Sequence, residues 1–321
     1  MPSISTPTHI DPVHDTEFLY HDFSSYLRSH FPYKVQKISI NAGLSCPNRD
    51  GTLGRGGCIY CNNYSFAPEY THRRESIRRQ LEEGISFFAR KYPSMKYLAY
   101  FQAYTNTYGD TRRLIRMYEE ALTTPGVVGL VIGTRPDCLG EDLRVYLKEL
   151  ASHQFVYMEY GLESTLDSTL ERINRGHTFE QCKEVVEWSR TSGIDCGVHL
   201  ILGLPGEKWE DYLSHADKVS DLPITSLKIH QLQVLEGTPL ATLYREDPSI
   251  LKLSDPKDYI RLLGEFVMRL RPDIYLDRFV SQSPPELLLA PKWNIKNYQF
   301  TEQLKRYMRE EGIYQGKDYR R

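Results

Sequence analysis

Three cysteines lie within sixteen residues of one another in the glycine-rich segment NAGLSCPNRDGTLGRGGCIYCNNYSF. Cys46, Cys58 and Cys61 have the spacing Cys-x11-Cys-x2-Cys. Thiolates bind soft and borderline metals, and a gap of two residues lets the sulfurs of Cys58 and Cys61 approach one centre. Glycines at positions 51, 54, 56 and 57 permit a tight backbone around such a centre. The segment therefore predicts a metal site.

The cysteine spacing admits several kinds of site: a zinc knuckle, a redox pair, a chance cluster or an iron–sulfur centre. A structural zinc ion takes four ligands, and His72 could be the fourth. Three thiolates alone fit a [4Fe-4S] cluster in which one iron is left open to bind a reacting molecule. On residue types and spacing, zinc and the iron–sulfur cluster both remain open.

Strand-like and helical stretches alternate along the chain. Apolar runs of β-branched and aromatic residues predict six strands, at 34–41, 96–104, 126–134, 154–162, 194–202 and 226–234. Among the helices between them, one is expected to begin after Thr178, which with Gln181 forms a capping-box pattern, and to stop at Gly193. This order predicts an α/β fold with a parallel sheet, open or curled into a partial barrel. Ligands bind such sheets at the carboxyl ends of the strands, where the cysteine segment follows the first strand.

Composition limits the function classes. The 321 residues carry a formal net charge of -2, so contact with nucleic acid would need a local basic patch. No apolar run approaches the ~20 residues that span a bilayer, and the first residues lack the apolar core of a signal peptide. A cytoplasmic location with reduced thiols and no membrane partner is expected. We expect three regions: a flexible tail at 1–15, a core at 16–240, and a C-terminal extension at 241–321 packed on the core.

Several segments resemble one enzyme superfamily. The cysteine segment resembles the cluster-binding loop of radical S-adenosylmethionine (SAM) enzymes, although the gap between its first two cysteines is longer than the usual three residues. GLESTLDSTLERINRGHTFEQ, HLILGLPGE and HQLQVLEGTPL are similar to strand segments of the branch that contains oxygen-independent coproporphyrinogen oxidase and the Elongator catalytic subunit. CPNRDGT, FQAYTNTY, INRGH and LAPKW recur in this order in the bacterial YhcC-like family. The resemblance runs from about Tyr33 to Gly316.

The resemblance implies a partial (β/α)6 barrel of the radical SAM type with additional C-terminal helices. It implies that Cys46, Cys58 and Cys61 hold a [4Fe-4S] cluster whose open iron binds SAM. An electron from a donor such as flavodoxin or ferredoxin would then cleave SAM reductively, and the 5'-deoxyadenosyl radical would abstract hydrogen from an unknown substrate. A small molecule or a protein is the favoured substrate, a tRNA is the second hypothesis, and a non-catalytic zinc-stabilised binding protein is the third.

The resemblance also implies eight residues that contact SAM. They are Tyr60 by the adenine, Gln102, Tyr104 and Thr105 by the amino group, Glu163 and Ser164 by the ribose or methionine, Arg175 by the carboxylate, and His199 by the nucleoside. These types suit their roles, because an amide carbonyl accepts from an amine and a guanidinium fork matches a carboxylate. One position departs from the pattern of the Elongator subunit: in the third strand, Gly133 stands where that pattern has an acidic residue. The other three cysteines, Cys138, Cys182 and Cys196, are expected to be ordinary core or helix residues.

Overall fold

A computed structural model of the protein describes residues 18–66, 71, 75–89 and 94–320. The strands are β1 (Val35–Ile40), β2 (Lys96–Phe101), β3 (Val127–Thr134), β4 (Phe155–Glu163), β5 (Asp195–Leu202), β6 (Ser226–Gln231), β7 (Val234–Leu235), β8 (Tyr275–Arg278) and β9 (Leu288–Ala290). The α-helices are α1 (Phe23–His30), α2 (Pro47–Asp50), α3 (Ile77–Ala89), α4 (Thr111–Leu122), α5 (Glu141–Ala151), α6 (Asp167–Arg172), α7 (Phe179–Thr191), α8 (Trp209–Ser220), α9 (Pro239–Glu246), α10 (Pro256–Arg269) and α11 (Asn297–Glu310).

The main sheet is parallel and has the strand order β1-β2-β3-β4-β5-β6-β8. It is strongly curled, because side chains from its two edge strands meet: Lys37 Nζ on β1 lies 3.1 Å from Asp277 Oδ2 on β8. The predicted α/β partial barrel is thus confirmed, with one addition. The sequence predicted six strands, and β8 is a seventh, a four-residue strand whose sequence YLDR is too short and too charged to be recognised from its pattern.

Helices cover the outer face of the sheet, as strand–helix alternation requires. A continuous apolar core lies between the two layers and includes Leu81, Leu130, Leu147 and Val186, all essentially inaccessible to solvent. Thr178 and Gln181 form the predicted capping box at the start of α7.

The inner face of the barrel is closed at its amino-terminal end by α1. Phe23 and Tyr26 of this helix pack against Tyr157 of β4, with ring centroids 5.3 and 5.5 Å from the Tyr157 ring. The segment before α1 also bridges to the last strand, since the backbone N–H of Leu276 donates to the carbonyl of His21 at 2.7 Å. Side chains near the carboxyl ends of the strands therefore sit above an aromatic floor.

The C-terminal residues cover one side of the barrel. Helix α10 packs against α8 and α11, and β7 pairs with β9 in a separate antiparallel ribbon. The boundary predicted at residue 240 stays a prediction, and the predicted tail at 1–15 lies outside the described residues. In the parts of the chain that the structure describes, no helix has the length and apolar character needed to cross a membrane.

Candidate functional site

The carboxyl ends of the strands surround a cleft of about 200 Å3. Ten of the eleven predicted site residues line it: Cys46, Cys58, Tyr60, Cys61, Gln102, Tyr104, Thr105, Glu163, Arg175 and His199. The structure thus brings together residues from a span of nearly half the chain, while their individual roles stay predictions. The exception is Ser164, which is fully buried and donates from Oγ to Glu207 Oε1 at 2.6 Å, away from the cleft.

The cysteine loop folds back on the short helix α2. Cys46 is the N-cap of α2. The residues between α2 and Cys58 then run back along this helix, where the Gly57 N–H donates to the Asn48 carbonyl at 2.8 Å. Gly57 has φ 85°, and a Cβ there would come 2.8 Å from the Arg49 side chain. Only glycine fits this turn without strain. The next turn brings Cys58 and Cys61 together, since the Cys61 N–H donates to the Cys58 carbonyl at 3.0 Å.

Hydrogen-bond donors surround these thiols. Arg175 Nη1 lies 3.6 Å and Asn48 Nδ2 lies 3.7 Å from Cys58 Sγ, and Asn63 Nδ2 lies 3.6 Å from Cys61 Sγ. N–H donors and a guanidinium stabilise sulfur atoms that carry negative charge, as cluster-bound thiolates do. Burial and the neighbouring Cys58 raise the pKa of the Cys61 thiol to about 11, so its deprotonation depends on a bound metal. The donor set therefore fits an iron–sulfur cluster.

A single metal ion fits this loop less well. Four-coordinate zinc holds its sulfurs at about 2.3 Å, so its ligands must converge on one point. Among the described residues, no three His, Cys, Asp or Glu side chains are grouped closely enough to hold one ion. A four-iron cluster binds each cysteine through a different iron and does not require that convergence. His72, the residue predicted to complete a zinc site, lies outside the described residues.

The end of β4 is irregular where it meets the cleft. A β-bulge falls between Gly161 and Glu163, and Glu163 has φ 74°, a left-handed conformation that non-glycine residues rarely adopt. The bulge turns the Glu163 carboxylate into the cleft, 3.6 Å from Arg175 Nη2. Arg175 is fixed from two further sides, because Nη2 donates to the Gly161 carbonyl at 2.6 Å and Nε donates to His177 Nε2 at 2.9 Å. The guanidinium is thus held at the wall of the cleft next to the cysteine loop.

The loop after β2 forms another part of the rim of the cleft. Tyr104 has φ 66°, and the Thr105 N–H donates to the Ser45 carbonyl at 3.3 Å, which joins this loop to the cysteine segment. Asn106 anchors the loop from below, with Nδ2 donating to the carbonyls of Phe101 and Gly133 at 3.0 and 2.8 Å. Gly133 leaves room for the hydrogen bond to the Phe101 carbonyl. A Cβ at this position would crowd that carbonyl oxygen, at a distance of 3.0 Å.

A layer of paired charges lies between the cleft and the aromatic floor, and we call it the charged layer. Its members come from six strands: Lys37, Tyr100, Glu159, His199, Lys228 and Asp277. Glu159 is at its centre, with Oε1 accepting from Lys37 Nζ at 2.7 Å and Oε2 accepting from Lys228 Nζ at 2.7 Å. Burial opposes the charge on Glu159, but the two lysines outweigh it and hold its pKa well below the ordinary value. The carboxylate is therefore ionised.

Sequence reasoning missed the charged layer apart from His199, and it missed Asn48, Arg49 and Asn63, which support the cysteines. Glu159 and Lys228 each stand between two buried apolar or aromatic neighbours in a strand, and such a position is a readable signal of an inward-facing charge. Lys37 follows Gln36 in VQKISI, so its signal is weaker. Arg49 and Asn48 follow Cys46 directly in CPNRD, and Arg49 Nη2 donates to the Cys61 carbonyl at 2.7 Å. No pattern in the sequence indicates that contact, because it depends on the fold of the long gap.

Family models match most of the chain. Residues 46–219 match the model described as the Radical SAM superfamily, and residues 224–310 match the model described as the Radical_SAM C-terminal domain. The first match begins at Cys46 and includes the other two cysteines of the loop. The ten predicted site residues that line the cleft all fall within it.

Relatives match over nearly their full lengths. The chain is 34% identical to the uncharacterized protein YtqA of Bacillus subtilis, over 97% of this chain and 96% of that protein. It is 36% identical to protein YhcC of Escherichia coli, over 91% of this chain and 93% of that protein. A shorter match, 30% identical, joins 40% of this chain to 26% of the tRNA uridine(34) acetyltransferase of Methanocaldococcus jannaschii.

Solved structures share the fold. The archaeal Elp3 of Methanocaldococcus infernus aligns with a TM-score of 0.63 at 17% identity, covering 88% of this chain and 64% of that one. Coproporphyrinogen III oxidase (HemN) of Escherichia coli aligns with a TM-score of 0.50 at 15% identity, covering 79% of this chain and 57% of that one. These likenesses agree with the curled parallel sheet and its covering helices.

Proposed function

The chain belongs to the radical SAM superfamily of enzymes, and from this premise we propose that it binds a [4Fe-4S] cluster through Cys46, Cys58 and Cys61 and cleaves SAM reductively to abstract hydrogen from a substrate. The observation that carries the proposal is the common cleft, which these cysteines line together with seven of the eight residues expected to hold SAM. Membership of an enzyme superfamily disfavours the third hypothesis, a non-catalytic zinc-stabilised protein. A flavodoxin or ferredoxin is proposed as the electron donor.

The cluster, when bound, would supply an electron to SAM and yield methionine and a 5'-deoxyadenosyl radical. The residues of this chain would bind and orient the cofactor. Arg175 is proposed to hold the methionyl carboxylate, and Gln102 Oε1, which accepts from Ser39 Oγ at 2.9 Å, is proposed to accept from the ammonium group as well. Holding the reacting groups in one geometry supplies much of the rate in such reactions.

His199 is suited to contact a hydroxyl of the nucleoside. Burial and the nearby Lys228 lower its pKa, so the ring is neutral near pH 7. Its Nε2–H donates to Glu159 Oε2 at 3.0 Å, which leaves Nδ1 as an acceptor. A ribose hydroxyl is a donor of the kind that this atom would accept.

Anaerobically reconstituted and reduced protein should cleave SAM slowly to 5'-deoxyadenosine without added substrate. Slow cleavage is expected because the cofactor residues are assembled in the cleft while no substrate directs the radical. The measurement is chromatographic detection of 5'-deoxyadenosine and methionine, with protein lacking reductant as the control. Complete absence of both products under strong reduction would contradict the radical mechanism.

Arg175→Ala should weaken SAM binding about tenfold or more and leave most of the iron in place. The reason is that the lost interaction is a charge-assisted, two-pronged hydrogen bond to the cofactor, while all three cysteine ligands remain. Equilibrium binding of SAM to the unreduced protein and iron analysis of the same sample would measure both effects. Arg172→Ala is the matched control, because Arg172 lies at the surface and donates to the Pro205 carbonyl at 2.8 Å. Equal SAM affinity for the Arg175 variant and wild type would contradict the assignment.

A tRNA substrate is the second candidate, and the partial match to a tRNA uridine(34) acetyltransferase favours it. Hydrogen transfer distinguishes the two classes. If deuterated RNA alone delivers deuterium into 5'-deoxyadenosine, the tRNA proposal replaces the first one. If a small-molecule or protein fraction delivers it, the first proposal stands.

A further inference from the structure

Strand β8 places a cation in the cleft that none of the proposed steps uses. Leu276 pairs with Leu227 and Arg278 pairs with Lys228, so a bulge falls between these two pairs. Because of the bulge, the consecutive residues Asp277 and Arg278 both face the barrel interior. Asp277 joins the charged layer, and Arg278 reaches the cleft, where Nη2 donates to His230 Nδ1 at 3.4 Å.

The charges around Arg278 do not balance. Lys37 and Lys228 each lie within 3.3 Å of both Glu159 and Asp277, so these two cations and two carboxylates neutralise one another. Burial and Arg278 itself hold the pKa of His230 well below its ordinary value, and the ring is neutral. Within the part of the chain that the structure describes, Arg278 forms no ion pair. The positive charge of Arg278 is thus left without a counter-charge among the described residues.

Two buried polar atoms of residues that line this cleft lack hydrogen-bond partners. Arg278 Nε and Ser281 Oγ are both buried and unpartnered among the described residues, and both residues line the cleft. The backbone of Ser281 is held firmly, since its N–H donates to Gln231 Oε1 at 2.7 Å and its carbonyl accepts from Gln231 Nε2 at 2.9 Å. A buried donor left unsatisfied costs about 1–3 kcal/mol, so such atoms in a native cleft indicate a ligand that satisfies them.

We propose that Arg278, Ser281 and His230 bind the carboxylate of the substrate, and that the enzyme therefore acts on a small carboxylic acid. This inference rests on the proposed function and names the substrate class of its cleft. A carboxylate carries a single negative charge that balances the charge of Arg278, and its two oxygens match the guanidinium fork. A phosphate monoester carries about −1.5 to −2 charges near pH 7 and would leave excess negative charge beside Glu159 and Asp277. The carboxylate of SAM is assigned to Arg175, next to the cysteine loop.

Deuterium transfer from chemically treated extracts tests the substrate class. The reduced enzyme is incubated with SAM and the small-molecule fraction of a deuterated cell extract, in three forms: untreated, treated with phosphatase, and treated with a carboxylate-esterifying reagent. We expect deuterium in 5'-deoxyadenosine from the first two forms and its loss from the esterified form. Deuterium that survives esterification, or that disappears after phosphatase treatment, would overturn the assignment to a carboxylate.

Variants test the residues. With the untreated fraction, Arg278→Gln should lower the deuterated share of the 5'-deoxyadenosine formed at least about tenfold, because a charge-assisted contact is lost. Ser281→Ala, which removes a single hydroxyl, should lower the same share several-fold. It tests the proposal independently if the arginine variant does not fold. Arg113→Gln, a change of an exposed arginine on α4, should leave the share unchanged. A wild-type share in both cleft variants would overturn the proposal.

A binding measurement without reductant separates this proposal from the proposed function. The untreated fraction should raise the thermal unfolding midpoint of the wild-type protein, and it should not raise that of Arg278→Gln. The esterified fraction should raise neither. If wild type forms no 5'-deoxyadenosine but shows this shift, the proposed function fails and the carboxylate subsite stands. If wild type forms 5'-deoxyadenosine but its shift equals that of the variant, the carboxylate subsite fails.

Discussion

Replacing any one of Cys46, Cys58 and Cys61 by alanine should abolish the iron–sulfur cluster and all cleavage of SAM. In the proposed cluster each thiolate would bind a different iron, and the described residues nearby offer no further cysteine to replace one that is lost. The measurement is iron and sulfide content after anaerobic reconstitution, together with the visible absorbance of the cluster. Wild type should hold about one four-iron cluster, because only one set of three thiolates lines the cleft.

Cys138→Ala is the matched control for the cluster ligands. Cys138 lies partly exposed after β3. Burial and, to a smaller extent, the neighbouring Asp137 carboxylate raise the pKa of its thiol to about 12. It therefore stays a neutral thiol, and its removal should leave the iron content unchanged. Loss of iron from this variant would show that the ligand set is wrong. Stoichiometric zinc without sulfide in the wild-type protein would contradict the cluster itself.

Glu159→Gln should destabilise the protein by about 3–5 kcal/mol, because it leaves buried cations without their counter-charge. The carboxylate is 3% exposed and accepts from Lys37, Lys228, Tyr100 and His199. A glutamine offers one acceptor oxygen in place of two and no charge. Asp277 alone would then face both lysines.

Denaturant unfolding of wild type and variant would measure this loss as a change in the free energy of unfolding. Glu187→Gln is the control, since Glu187 is an exposed glutamate whose partner is Arg190 on the same helix, and the free energy of unfolding should change little. Lys228→Met combined with Glu159→Gln should cost less than the sum of the two single changes, because it removes both members of a pair. Additive losses would contradict the paired arrangement.

The parts of the fold that follow from local patterns could be predicted from the sequence. Each of the six predicted strands has an observed strand within it or overlapping it, because long apolar runs flanked by helices leave few alternatives. The cysteine loop was located correctly at the carboxyl end of β1, since that position depends on chain order alone. The helix after Thr178 begins where its capping box indicated.

The parts that depend on tertiary contacts could not be predicted. Ser164 was expected beside Glu163 at SAM, but neighbouring residues after a bulge point in different directions, and Ser164 turns into the core toward Glu207. Strand β8 is short, and it forms because β6 would otherwise be an open edge of the curled sheet. Arg278 and Ser281 acquire their surroundings only through that strand. The contact of Arg278 with His230 could not be read from positions about fifty residues apart in sequence.

The closure of the barrel floor has a consequence for how the chain folds. The N–H of His21 donates to Gln315 Oε1 at 3.0 Å, across 294 positions, and Leu276 pairs with the same early segment. Contacts between such distant positions form late, because a long stretch of chain must first be ordered. During synthesis the segment before α1 and the aromatic side of that helix therefore lack their contacts with β8 until β8 has left the ribosome. A nascent chain at that stage exposes apolar surface of the kind that chaperones bind.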